Sequence, residues 1–399
     1  MFINELPDDC LLIIFDSLNE LGDLLNCYEV CSKWRYLIAE RTRKVKYFVE
    51  HRDDWSGETF PSHLIDHVYY GSREPIDATC FSTLFPNLTI ADFRNIRGKV
   101  NYEDLVGIIQ KMKSLKGLTL TYFKDNGYIF RDVESAFKYC GELEMVGACS
   151  IEPWILKNGP NIKQLCIMSY DSYVFVRDGH NFPNLERIHI GHESGDDGYP
   201  IEEIEHHQYK GLIFRRLKIL ELYLESYYGF QFIDSCPNLQ SAYIQLMTPN
   251  FFVDESIKHE SLQDLVISCG FDDIDFYGNA MLDWNDLKRL FMKYPNLKHL
   301  ALCNKLSLKN EHVEQLVRIF PNLVLLDVRG YSDVTQEASV YVEDYSKLHG
   351  RSIAFNRNDS HWPPFKSKWE PVVHGFDFMK HCFYKAFQKL PTFLVSSDY

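Results

Sequence analysis

The chain carries 15 histidines, 11 cysteines and 56 acidic residues, ample raw material for catalysis or metal binding, so spacing has to decide. The spacings that assemble such sites are missing: there is no HExxH for zinc, no GxSxG nucleophile turn, no P-loop and no GxGxxG turn for a dinucleotide. His63 and His67 stand four apart in "HLIDHVYY". That stretch reads as a strand, which puts the two rings on one side, two pleats apart. His206 and His207 in "EIEHHQ" are adjacent, do not share a face, and read as part of a solvated loop. "SGDDG" at 194 to 198 is rich in carboxylate but lacks the remaining ligands of a calcium loop. No CxxC pair occurs, and Cys31, Cys166 and Cys303 sit inside apolar patterns, which points to free, packed thiols in a reducing compartment. No catalytic residue, metal site or cofactor is therefore expected, and function has to reside in a surface.

The elements that would build such a surface are written repeatedly. "FPNLERIHIG" (182 to 191), "YPNLKHLALC" (294 to 303) and "FPNLVLLDVRG" (320 to 330) share a Pro-Asn-Leu turn and then two alternating apolar residues. The template is L-x-x-L-x-L, apolar at offsets 0, 3 and 5. Ten copies occur, from Leu88/Ala91/Phe93 to Leu323/Leu326/Val328, with the others starting at Leu115, Leu143, Ile162, Leu185, Leu217, Leu239, Leu262 and Leu297. Successive copies start 19 to 35 residues apart. Offsets 3 and 5 put two side chains on one face of a short strand. Pro fixes φ and cannot continue a preceding helix, so Pro-Asn turns the chain into that strand. Several spacers predict helices: Asn101 as N-cap before Leu105, Ile108, Ile109 and Met112; Asp283 before Leu287, Leu290, Phe291 and Tyr294; and Val313, Leu316, Val317 and Phe320 on a third stripe. One strand and one helix cannot bury their apolar sides alone, whereas stacked copies can.

This pattern resembles the leucine-rich repeat family over residues 80 to 330. It departs from the family at offset 8, where an Asn or Cys ladder is usual. Here the positions hold Ile96, Phe123, Ile151, Tyr170, Glu193, Glu225, Met247, Gly270, Lys305 and Tyr331. An irregular horseshoe with loops of uneven size is expected, with "RKVKYFVEH" (43 to 51) and "HLIDHVYYG" (63 to 71) as degenerate leading strands. In a solenoid the residues between the apolar positions point to the exposed concave face. Met168, Arg187, His189, Glu221, Tyr223, Tyr243, Gln245 and Arg329 are the candidate target-binding residues there. The alternative is a partner that binds at a rim or loop. Beyond Val328, residues 337 to 356 predict one more helix and strand. Residues 374 to 391 can form an amphipathic helix with Phe376, Met379, Phe383, Ala386 and Phe387, read as a cap, with folding back into the concave face or gripping a partner as the alternative.

Before the repeats lies "LPDDCLLIIFDSLNELGDLLNCYEVCSKWRYLIAE", residues 6 to 40. Pro7 suits a first helical turn, and Asp8 and Asp9 favour the positive end of its dipole. Leu11, Ile14, Phe15 and Leu18 form one stripe, with Leu12 and Ile13 apolar off it. A second helix carries Leu24, Leu25, Tyr28 and Cys31, and a third Trp34, Leu37 and Ile38. A segment of about 40 residues cannot build a self-sufficient core, and this one has more apolar faces than one core can use. The surplus argues for a partner protein. Leu6-Pro7, Leu11-Leu12, Ile14-Phe15, Leu18, Asp23-Leu24-Leu25 and Val30-Cys31-Ser32-Lys33-Trp34 resemble, in order and spacing, the F-box family. The resemblance implies docking on the Skp-type adaptor of a cullin-based ubiquitin ligase, with Leu6, Pro7, Leu11, Leu12, Ile14, Leu18, Leu25, Val30 and Trp34 as contact residues. The alternative is a helical cap that merely seals the first repeat.

Composition agrees with a binding protein. Hydrophobic residues make up 45% and charged residues 25%, ordinary for a globular chain. The formal net charge of −14 repels phosphate backbones and anionic lipid, so neither nucleic acid nor membrane is an expected partner. "RTRKVK" (Arg41 to Lys46) reads as a solvated helix end, with a localisation patch as the alternative. No run of eighteen apolar residues predicts a membrane helix, and the N-terminus lacks a basic segment for secretion. The expected architecture is α/β: a three-helix F-box at 1–44, an irregular leucine-rich-repeat solenoid at 45–350 and a capping tail at 351–399. The expected function is substrate recognition for a Skp-cullin-F-box ligase, in the cytoplasm, the nucleus or both. A repeat scaffold outside ubiquitination and an unrecognised enzyme framed by repeats are the alternatives.

Overall fold

The computed structural model describes residues 3–51, 65–71, 81, 83–93, 102–120, 141–148, 150–167, 175, 178–190, 212–224, 229–246, 251–269, 283–303, 307–328 and 331–357. The chain divides into two compact units, Met1 to Cys166 and a second that begins at Ile167. The division falls among the repeats, not after the N-terminal helices.

In the first unit, helices α1 (Asp8–Asp16), α2 (Leu21–Val30) and α3 (Ser32–Thr42) lead into a sheet. Its strands are β1 (Tyr47–His51), β2 (His67–Gly71), β3 (Ile90–Asp92), β4 (Gly117–Thr119), β5 (Met145–Ala148) and β6 (Gln164–Ile167). They lie in the order β2-β1-β3-β4-β5-β6, and the pairs from β2 to β5 run parallel. Both leading segments do form strands. Their order is not sequential, because β2 lies outside β1 and the chain returns to place β3 on the far side. Phe48 therefore has Val68 on one flank and Ala91 on the other. It stacks on Tyr70 at 4.6 Å between ring centroids and meets Phe81 edge-on at 4.8 Å. Helix α4 (Tyr102–Lys111) buries Leu105, Ile108 and Ile109 as its spacing predicts. Its expected cap, Asn101, lies outside the described residues. Helix α5 (Pro153–Asn158) is a short substitute, with Pro153 in its first turn and Trp154 and Ile155 buried.

The second unit runs β7 (Arg187–Ile190), β8 (Ile219–Leu224), β9 (Ser241–Leu246), β10 (Asp264–Cys269), β11 (His299–Cys303), β12 (Leu325–Asp327) and β13 (Ala354–Asn356) in sequential order. Every pair in this series is parallel. Helices α6 (Gly229–Asp234), α7 (Trp284–Phe291), α8 (Asn310–Ile319) and α9 (Gln336–Leu348) fill some of the spacers. Asp283 caps α7 as expected, accepting from the Asn285 amide at 3.0 Å. The final helix and strand expected in 337 to 356 are α9 and β13. Between β9 and β10 the described residues form no helix, and Phe251 and Val253 fill the space instead. Elsewhere an aromatic cluster does so, with Phe175 stacked on Phe182 and Phe214 at 5.9 and 5.7 Å.

Every residue at offsets 0, 3 and 5 in all ten copies is buried. The register explains why. Ile188, Leu220, Ala242, Leu265, Leu300 and Leu326 form one lateral row. Each covers its neighbour about 4.8 Å away, and full burial of such a side chain contributes roughly 1.5–3 kcal/mol that a lone strand could not gain.

The Asn of Pro-Asn-Leu has a role of its own. Asn87 Nδ2 donates to the Arg43 carbonyl at 2.8 Å, Asn161 to Gly141 at 2.8 Å, Asn238 to Arg215 at 2.7 Å and Asn296 to Glu260 at 2.9 Å. Gly141, Arg215 and Glu260 each stand two residues before the first apolar position of the preceding unit, Leu143, Leu217 and Leu262. The chain thus has an asparagine ladder one residue ahead of the template leucine, in place of the one missing at offset 8. It satisfies turn carbonyls that strand pairing leaves free.

Candidate functional site

The N-terminal helices hold a core and expose a surplus. Leu11 and Phe15, one turn apart on α1, face inward. Phe15 meets Trp34 edge-on at 5.1 Å. Leu21 and Leu24 of α2 and Leu37 and Ile38 of α3 complete the packing. Lys33 ties the N-terminal arm to α3, donating to the Leu6 carbonyl at 2.9 Å and pairing with Asp8 at 3.0 Å.

Arg41 clamps the module to the sheet. It is fully buried, which corrects its reading as part of a solvated basic run. Its guanidinium donates to the carbonyls of Phe15 and Leu18, each at 3.3 Å, to Asn19 Oδ1 at 2.8 Å and to the Ile65 carbonyl. The main chain continues the link: the Tyr69 amide donates to the Asn19 carbonyl at 2.7 Å, and Glu20 bridges to Tyr69 in parallel fashion. The module therefore covers the outer edge of β2. Burial, then the nearby Asp66 and Glu20, push the Tyr69 hydroxyl well above its ordinary range.

Of the expected contact residues, Pro7, Ile14 and Val30 are exposed, and Leu6, Leu12, Leu18, Leu25 and Trp34 are half-buried. Leu11 is a correction. It is 0% exposed, because it lies one turn from Phe15 on the inward face, so it supports α1 and offers no surface. Ile14, placed on that same stripe from sequence, is turned outward. Ile13, at 71% exposure, and Tyr36, at 66%, exceed Ile14 at 40% and Val30 at 55%, and were not among the expected residues. The signal for Ile13 was legible: it is apolar, off the inward stripe, and one turn from Cys10 and beside Ile14, both exposed. The Trp34 indole N–H is buried without a hydrogen-bond partner among the described residues.

The strand face expected to be open is largely closed. His189, Glu221 and Tyr243 are buried, and Arg187 and Gln245 are half-buried. Met168 and Arg329 lie outside the described residues, as does the side chain of Tyr223. In-register parallel strands bring these side chains into lateral rows where they cover one another. Glu221 Oε1 accepts from Arg187 at 2.6 Å, and Glu221 Oε2 meets His189 Nδ1 at 2.7 Å. Burial pushes the Glu221 carboxyl up, but Arg187 and His189 outweigh it and leave it below the ordinary carboxylate value. Further along, Asp264 accepts from Ser241 Oγ at 2.6 Å and contacts His299 Nδ1 at 2.5 Å. A further group, with its side chains buried, lies off the strands, where Asp234 pairs with Lys293 at 2.5 Å and His259 at 2.9 Å.

These groups fasten strands and spacers together. Among the described residues no cluster of three or more His, Cys, Asp or Glu could hold a metal ion. Of the expected non-sites, His67 lies on β2 against Asp66 at 2.7 Å; His63, His206, His207 and 194 to 198 lie outside the described residues. Burial, reinforced by Asp23, raises the Cys27 thiol, and burial with Asp234 raises Cys236 strongly, so neither is a ready thiolate.

Comparison with known proteins bears on the helical module. An F-box-like family model matches residues 3–43, so the chain carries an F-box-like domain there, followed by α/β units with parallel strands. No curated protein matches the chain. Among solved structures, it is similar to a chain of the yeast Rad7 and Elc1 complex, with 18% identity, 83% of this chain and 90% of that one covered, and a TM-score of 0.41. It is also similar to a chain of the Drosophila Toll–Spatzle complex, with 13% identity, 74% of this chain covered and a TM-score of 0.30. It spans only 35% of that chain.

Proposed function

We propose that this chain is a non-catalytic substrate-recognition adaptor of a Skp-cullin-F-box ubiquitin ligase. Residues 1–44 grip a Skp-type subunit and through it a cullin. Residues 45–350, read as a leucine-rich-repeat solenoid, hold a target protein, and residues 351–399 cap the repeats. Tethering supplies effective concentration, so transfer to a target lysine becomes quasi-intramolecular. The setting is the cytoplasm, the nucleus or both. One observation carries the reading: the F-box-like match at 3–43 falls on helices whose own core is filled while Ile13, Ile14 and Val30 stay outside it.

The test is co-purification of the full chain with a Skp-type adaptor, beside an Ile14→Asp, Val30→Asp variant. Both residues are exposed, so the variant is expected to keep the native circular dichroism and thermal midpoint. It should lose binding by at least about thirtyfold, the lower end for a lost interface anchor of about 2–4 kcal/mol. No binding by the native chain with adaptor in excess would overturn the proposal. A second reading, a repeat scaffold outside ubiquitination, is favoured by the closure of the β2 edge by Asn19 and Glu20. That reading predicts a folded variant and a native chain that both ignore the adaptor.

A further inference from the structure

The second unit contains a cationic groove in an acidic chain. Its volume is about 430 Å³, and its lining includes Glu186, Arg215, Arg216, Lys218, Gln240 and Ser261. Lys218 is paired with Glu186 at 3.2 Å. Arg215 and Arg216 are exposed, and their side chains have no partner among the described residues, although the chain has 56 acidic residues to offer.

The sequence marks the same place. The two positions ahead of the first template residue are Pro-Asn before Leu88, Ile162, Leu185, Leu239, Leu297 and Leu323, and Arg-Arg only before Leu217. The turn does not need the arginine side chains, because Asn238 from the next unit donates to the Arg215 carbonyl at 2.7 Å. The two guanidiniums are thus released from the fold, and with Lys218 they outnumber Glu186, the one carboxylate among the described lining residues.

We propose that this groove binds an acidic peptide segment, with Arg215 and Arg216 gripping its carboxylates. A guanidinium presents a planar donor fork that matches a carboxylate. The lining crosses the starts of β7, β8, β9 and β10, about 14 Å at the strand spacing of a sheet, which fits roughly four residues of extended chain. Among the described residues no aromatic ring lines the groove for a nucleobase to stack on, and the net charge of −14 repels a long polyanion. The inference stands whether or not the helical module meets a ligase.

The test is fluorescence anisotropy of the full chain with a fluorescein-labelled peptide of alternating Glu and Gly at low ionic strength. A Gln–Gly peptide, a phosphoserine–Gly peptide and an oligothymidylate serve as comparisons. The native chain should bind the Glu peptide and leave the Gln peptide free. Arg215→Ala with Arg216→Ala should weaken binding at least about tenfold. Glu186→Gln frees Lys218 and should tighten binding severalfold, a gain that misfolding cannot imitate. The proposal is overturned by equal binding of the Gln peptide or an unaffected double variant. It is equally overturned by an unchanged Glu186→Gln, or by tighter binding of the phosphoserine peptide or the oligothymidylate.

Discussion

Arg41 should be the most sensitive single position in the N-terminal module. Its side chain is fully buried, with four acceptors around the guanidinium and Asp16 at 3.7 Å. Burial lowers its pKa and Asp16 and Asp66 pull it back; a guanidinium keeps its proton in proteins. Arg41→Ala would strand the carbonyls of Phe15, Leu18 and Ile65 and open a cavity. Each hydrogen bond from a charged donor is worth about 1.5–3 kcal/mol, but bonds from one group do not add. The cost of breaking a buried charged group, about 3–5 kcal/mol, is the better guide. Arg41→Lys keeps the charge but not the fork, and should cost about 1–3 kcal/mol. Two compact units need not unfold together, so the local readout is native-state hydrogen exchange at the Tyr69 amide, which donates to the Asn19 carbonyl. For Arg41→Ala it should speed up roughly a hundred- to several-thousandfold, while the amides of β11 in the other unit keep the native rate. Exchange at Tyr69 within about threefold of native, a change below 1 kcal/mol, would refute the clamp.

Two further outcomes test the second unit. Asn296 donates to the Glu260 carbonyl and accepts from Asn322, so Asn296→Ala should lower stability by about 0.5–1.5 kcal/mol, seen as a lower thermal midpoint; no change would remove the ladder's role in the turns. Glu221→Gln should cost about 3–5 kcal/mol at neutral pH by leaving Arg187 and His189 without their shared carboxylate. Because the folded Glu221 carboxyl titrates below its ordinary value of 4.5, its contribution is complete above that pH and is lost as pH falls through the folded value. The urea midpoints of the native and Glu221→Gln chains should therefore converge below pH 4.5, and a gap that stays constant there would contradict the depressed pKa.

Much of the fold was legible because its signals are local. Offsets 0, 3 and 5 report one strand face, and residues such as Leu287, Leu290 and Phe291 report one helix face, whatever the neighbours are. All are buried as their spacing implies. The N-terminal motif was legible for the same reason: its order and spacing lie within one short segment. What sequence could not decide is what covers a side chain from another unit. Glu221 and His189 stand at positions that face outward on a lone strand, and become interior only when the next strands arrive in register. Arg41 looks solvated beside Arg43 and Lys44, yet its acceptors come from Phe15, Leu18 and Ile65, far along the chain. The Asn ladder was visible as a repeated letter without a partner, since each acceptor is 20 to 44 residues away. The β2-β1-β3 order likewise follows from edge pairing that no periodicity encodes. Sequence by itself determined which residues want burial and where the chain turns; the tertiary structure alone decided which polar groups are enclosed and which apolar ones stay outside, because enclosure depends on side chains that meet only after neighbouring strands pair.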